Sequence, residues 1–371
     1  MTTRYVDGAN GNDSWDGLAP NFVSGTNGPK ATWNGAEDSP VAAGDLVHVR
    51  SGTYRELLTI DVSGTAGNAI EYRGDYAGVI WPGGGVVRIT GSDNDQTATR
   101  NNCITGTTKI YRTFRGFRLD TTAQRPIAAL TDCTNWIIDG CFIKGVPAYQ
   151  GIYVTGAGQA AITIQNCLLW GAANSTNILF THSATVSNAG HLIQNCVFLG
   201  GLYGIQITAV GGITVKNCVF TTRINAGILV DIALAGGQTE TVNNCIFDGC
   251  NTALSAANLG EITEDYNTFY GNNTNRTNVA TGASSITYPP LFDSRWFFEL
   301  VGGKGRMLSP FDLASYSQLV NLAGTSPSTT DMRGTAVIGA QREWGALEYD
   351  STLRLGDLVV FLRSASTLLT M

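Results

Sequence analysis

The most regular feature of the chain is an alternation of apolar and polar positions that breaks at an asparagine. In ITIQNCLL (162–169), Ile162 and Ile164 alternate with Thr163 and Gln165, Asn166 interrupts, and Cys167 opens a short apolar run. The frame returns in HLIQNCVF (191–198), ITVKNCVF (213–220), TVNNCIFD (241–248) and, with glycine for asparagine, WIIDGCFI (136–143). Period-2 alternation rich in β-branched residues predicts strands on both sides of the break. Asn tolerates left-handed backbone better than most residues with a Cβ, so it predicts a sharp corner. A third strand follows a short loop each time: GIYVT (151–155), NILFT (177–181), GIQIT (204–208) and GILVD (227–231).

Successive cysteines of this frame (Cys141, Cys167, Cys196, Cys218, Cys245) lie 26, 29, 22 and 27 residues apart. A period in that range, with three short strands and no helical pattern inside it, predicts an all-β solenoid, a parallel β-helix. Coils stack at the strand spacing of about 4.8 Å, so equivalent residues form ladders. Asparagines then exchange side-chain hydrogen bonds while cysteines fill the interior. Zinc needs ligands converging on one point rather than one per coil. Disulfides between coils fit neither the ladder spacing nor a reducing setting. Cys103, Cys133 and Cys250 fall outside the column and receive no role.

At this point the chain resembles the right-handed parallel β-helix proteins of the pectate-lyase-like superfamily. The resemblance is carried by YVDGANGNDSWDGLAP and GPKATWNGA as an opening segment and by AGDLVHVRSGTYRE (43–56) as a first coil. SPFDLA (309–314) and TDMRG through GALEY (330–349) are similar to the family's closing segment. It implies a cap at 1–40, coils at 41–290 and an irregular closing segment at 291–350. The apolar tail at 351–371 extends beyond the family-like end and is expected to serve as an assembly arm, with a plug on the end of its own coil stack as the alternative. The resemblance also implies a site on the outer face of the strand after the loop. Phage tailspikes and capsid decoration proteins share this design, so a bacteriophage virion protein is expected, built as a homotrimer and contacting other virion proteins or a host surface glycan. The alternative is a polysaccharide lyase or glycoside hydrolase.

Composition narrows the partners. Charged residues make up 14% and the net charge is −6 with no basic run, which disfavours nucleic acid. No apolar run approaches the ~20 residues of a membrane span. The N-terminus lacks the pattern of a signal peptide, so cytoplasmic synthesis followed by display on a virion surface is expected. In DGANGNDSWDG, the residues Asp7, Asn10, Asn12, Asp13 and Asp16 invite a calcium reading but miss the EF-hand spacing; an Asx-rich turn is the plainer reading. No other cofactor and no metal ligand set is indicated, and His48, His182 and His191 are scattered.

The outward positions test for chemistry. With Ile152, Val154, Ile178 and Phe180 and their equivalents inward, the strand after the loop shows Tyr153, Thr155, Leu179, Thr181, Gln206, Thr208, Leu229 and Asp231. That is one carboxylate and no base, where hydrolases need two carboxylates. No catalytic residue is assigned; Asp231, paired with Glu240 or Arg223 from loops, is the fallback candidate. Glu261, Glu264 and Asp265 read as solvated surface, as does the face before the corner, from Asp139 to Asn243. In WIIDGC, Gly140 stands where the family's similar segment has His. Tyr153 and Trp170 are candidates for stacking on sugars. After the corner, Phe142, Leu168, Val197, Val219 and Ile246 form an apolar outward stripe, expected to be an interface, with cover by the chain's own loops or C-terminal segment as the alternative.

Overall fold

A computed structural model describes residues 1–290, except 39–40, 131–132, 157, 159, 182–189, 209–210, 222–223 and 235–237, and the backbone of an antiparallel pair, Glu299–Val301 with Lys304–Arg306. The closing segment otherwise, and the tail at 351–371, lie outside the described residues.

Three parallel sheets form a right-handed β-helix with almost no helix. The pre-corner sheet has ten strands, running from Thr3–Val6 and Leu46–Val49 through Thr163–Gln165 to Ile262–Asp265. The post-corner sheet has nine, from Gly52–Tyr54 to Thr268–Tyr270, and the post-loop sheet nine, from Leu58–Ile60 to Thr274–Thr277. Thr3–Val6 pairs in register with Leu46–Val49, so the N-terminal segment supplies the first strand of a sheet.

The corner has the backbone that its residues predict. Asn166, Asn195, Asn217 and Asn244 have φ of 56°, 54°, 54° and 56°, and Gly140 has 61°. The side chains are linked: Asn195 donates to Asn166 Oδ1 (3.2 Å), and Asn166 donates to Asp139 Oδ1 (2.7 Å). Asp139 is buried beneath this ladder and paired with Arg115 (2.7 Å). It is therefore the ladder's terminal acceptor and not part of a solvated face, which corrects that expectation at its first residue.

All five column cysteines are fully buried, as are Cys103 and Cys133, with Cys250 nearly so, and none forms a disulfide among the described residues. Burial raises the thiol pKa at Cys141, Cys167, Cys196 and Cys245 well above the usual range. Beside them Phe198, Phe220, Phe247 and Phe269 stack with centroids 4.5, 4.8 and 5.2 Å apart and planes within 6°. The facing strand leaves room through Gly204 and Gly227, where a Cβ would stand 2.8 Å from a ring carbon of Phe220 or Phe247.

Each end of the interior is closed by buried charge. At the start, the helix α1 (Trp33–Asp38) lays Trp33 flat on Tyr72, at 5.2 Å and 4°. Glu37 of α1 accepts from the Tyr72 hydroxyl (2.9 Å) and pairs with the fully buried Arg112. At the far end, buried Glu264 pairs with Arg276 (2.6 Å) and accepts from Asn267 Nδ2 (2.7 Å) and Ser285 Oγ (2.6 Å).

The apolar stripe is corrected in one respect. Phe142, Leu168, Val197, Val219 and Ile246 do stand in register across neighbouring strands. Yet Leu168 is 3% exposed, and Val197, Val219 and Ile246 are fully buried within the single chain. Only Phe142 keeps partial exposure. The column is covered inside one molecule and is not open surface.

Candidate functional site

The outer face of the post-loop sheet is built in three columns by strand register. Arg125, Gln150, Thr176 and Tyr203 form the first, and Ala128, Tyr153, Leu179, Gln206 and Leu229 the second. Thr155, Thr181 and Thr208 form the third, with exposed Asp231 continuing the next strand past its end. The inward partners Ile152, Val154, Ile178, Phe180, Ile205, Ile207, Ile228 and Val230 are buried. From Ile152 onward the core fixes the phase of the strand and puts the second and third columns outside. The first column instead precedes a glycine that faces the interior (Gly151, Gly204), so Gln150 and Tyr203 stand three residues before Tyr153 and Gln206.

Two polar groupings lie on this face. Arg125 places its guanidinium over the Tyr153 ring at 4.3 Å and near the Tyr149 ring at 5.5 Å. Its Nε donates to Gln150 (2.7 Å) and its Nη1 to Gln124 (3.1 Å). Two amides and two rings hold a cation flat against the sheet. Further along, Thr176 Oγ1 donates to Gln206 Oε1 (3.3 Å), whose Nε2 donates to Asp231 Oδ2 (3.0 Å). The pattern allowed Tyr153 and Asp231 to be placed on the face. Arg125 was missed because its strand, RPIAAL, lies a coil before the Asn–Cys frame begins.

Asp231 pairs with Gln206, and Arg223 lies outside the described residues. The other candidate carboxylates need correction, because none is solvated surface except partly exposed Asp265. Glu240 faces the coil interior, fully buried, in the register position held by Ile213 and Ile262 in the flanking coils. Its Oε2 accepts the Ile213 amide (2.5 Å), while among the described residues Oε1 has no hydrogen-bond partner. Burial, with Glu261 nearby, pushes its carboxyl up to about 8. Glu261 accepts from the amides of Leu234 (2.7 Å) and Asn258 (2.8 Å), which pins the loop after Asp231. His191 is likewise interior, its Nδ1 accepting the Ile162 amide (3.1 Å).

The N-terminal acidic stretch is a set of Asx turns. Asp7 Oδ1 accepts from the amides of Ala9 and Asn10, Asp16 from Leu18, and Asp13 reaches across to Ala31 and Thr32. Each carboxylate is thereby committed to backbone or to a partner side chain such as Arg50. Trp170 stands on the post-corner sheet, 47% exposed, one coil above Lys144.

Comparison with known proteins agrees with this architecture. Residues 150–288 match the family model described as a right handed beta helix region. Among solved structures the fold is similar to a pectate lyase, Pel9A (TM-score 0.52, 15% identity, covering 94% of this chain and 97% of that one). It is also similar to a rhamnogalacturonan lyase (TM-score 0.53, 16% identity, 73% and 74% covered). A third is a GH136 lacto-N-biosidase from Eubacterium ramulus (TM-score 0.52, 13% identity, 72% of this chain and 56% of that one). Comparison of the sequence with curated proteins returns no match. At these identities the likeness is one of fold.

Proposed function

We propose that the protein is an attachment subunit that holds a glycan chain along the post-loop face without cutting it, in the setting of a bacteriophage virion as a capsid decoration or tailspike-type component. The observation that carries the glycan reading is the Arg125–Tyr153 stack with Gln150 beside it, followed by the Thr176–Gln206–Asp231 chain. A ring gives the apolar face of a sugar a flat partner, and fixed amides and hydroxyls take its hydroxyl groups. Because the rows are one strand spacing apart, a chain laid across the strands meets the Tyr153 ring on one coil and Gln206 and Asp231 on later ones. The virion setting rests on the resemblance of the subunit design to tailspike and decoration proteins. The fold neighbours named as lyases and a biosidase leave cleavage as the rival reading, with Asp231 as its candidate carboxylate.

The test is incubation with bacterial capsule, lipopolysaccharide and pectate, with and without calcium, following both retention and release of reducing or unsaturated ends. Saturable retention without new ends is expected. Turnover that disappears in Asp231→Asn replaces attachment by catalysis, and no retention on any of the three overturns both. Capsid and portal genes beside its own support the virion setting; sugar-utilisation genes there contradict it.

A further inference from the structure

A second cluster of rings and cations lies on the post-corner sheet, on the far side of the loop that ends at Tyr149. Trp170 exposes 47% of its surface beside an apolar column that is buried except at Phe142. Its edge meets the Phe142 ring at 6.5 Å and 89°, and Arg118 stands over that same ring at 5.5 Å. Strand register puts exposed Lys144 directly beside Trp170. Among the described residues Lys144 has no hydrogen bond or ion pair.

The charge around this cluster is opposite to that of the molecule. Arg88 (2.8 Å) and Arg118 (2.7 Å) share the buried carboxylate of Asp120, Arg88 also pairs with Asp95 (2.5 Å), and exposed Lys144 adds a cation on the same sheet. The chain as a whole carries −6. A structural reason accounts for Arg88 and Arg118, since they neutralise Asp120. It does not account for Lys144, which has no ion pair among the described residues, or for the exposure of Trp170.

We propose that Trp170 and Lys144, backed by Phe142 and Arg118, form a second glycan subsite that takes an anionic sugar residue. The indole offers its face to the pyranose ring, and Lys144 reaches the carboxylate or sulfate carried by that sugar or the next. A protein partner fits less well: the apolar column beside the cluster is already buried, so too little open apolar surface is left for a stable interface. The subsite extends the attachment reading, because one chain, or two branches of one glycan, engages both sides of the loop at 145–149 and gains by effective concentration.

Binding of oligogalacturonate, oligomannuronate and heparin-derived oligosaccharides, with neutral cello-oligosaccharides as control, tests it by calorimetry on the full chain. For at least one anionic probe, Trp170→Ala and Lys144→Gln each weaken binding tenfold or more, Trp170→Phe restores most of it, and added salt weakens wild type far more than Lys144→Gln. Melting temperatures stay near wild type, since both side chains are exposed. The subsite is overturned if no anionic probe binds, if both variants bind as wild type does, or if the neutral oligosaccharides bind as well as the anionic ones. Loss in Tyr153→Ala with none in Trp170→Ala removes this subsite and leaves the post-loop face standing; the reverse removes the face and leaves the subsite.

Discussion

Asn195 shows what one residue does in this fold. Its φ of 54° would cost another side chain with a Cβ about 1–3 kcal/mol, and its amide continues the ladder to Asn166. Asn195→Ala should therefore destabilise by about 1–3 kcal/mol in urea denaturation, and Asn195→Gly by less, since glycine recovers the backbone term but not the hydrogen bond. Equal losses would mean that the backbone contributes nothing. Glu240 makes the opposite point. Its folded carboxyl is raised from 4.5 to about 8, so the folded state favours the protonated form. The associated stability is complete below about pH 4.5 and falls as pH rises to about 8, by an amount on the order of 4 kcal/mol. Glu240→Gln keeps an acceptor for the Ile213 amide and should flatten that slope, gaining over wild type at pH 8 and not at pH 5. Parallel stability–pH curves for the two proteins would contradict this.

At the scale of the element, three strands per coil, the corner and the inward phase were legible in the sequence because each is local: alternation, a left-handed residue, a cysteine. Side-chain burial beyond the alternation was not. Glu240 read as a loop residue and Glu264 as surface because charged residues rarely face an interior. The partners that allow it, the Ile213 amide one coil away and Arg276 across the same coil, carry no local signal. The outward column at Val197 and Val219 read as an interface, with cover within the chain as the alternative, because alternation says which way a side chain points and not what lies over it. Packing between elements is tight where Gly204 meets Phe220. A methyl there would stand 2.5 Å from the Gly227 carbonyl oxygen and 2.8 Å from the ring. Gly204→Ala should cost about 1–3 kcal/mol through overpacking, read as a lower denaturation midpoint at unchanged slope; a neutral result would show that the Phe stack is loose.

For the whole molecule, burial of the column bears on assembly. Val219→Asp should destabilise the single chain itself, by several kcal/mol for an unpaired charge in an apolar site, and not simply release subunits. A variant as stable as wild type but sedimenting as a smaller species would return that column to an interface. The function belongs to this scale too, because the post-loop face exists only when several coils stack. Its Tyr153 and Asp231 were legible from strand phase, whereas the Arg125 contact with Tyr153 depends on two coils and had no signal within either strand. Affinity for whichever glycan the wild type retains, measured in Tyr153→Ala and Arg125→Gln beside Thr163→Ala on the pre-corner face, tests the central claim most directly. The account predicts at least tenfold weaker binding in the first two, with folding intact, and no change in the third. Equal affinity in all three would contradict it.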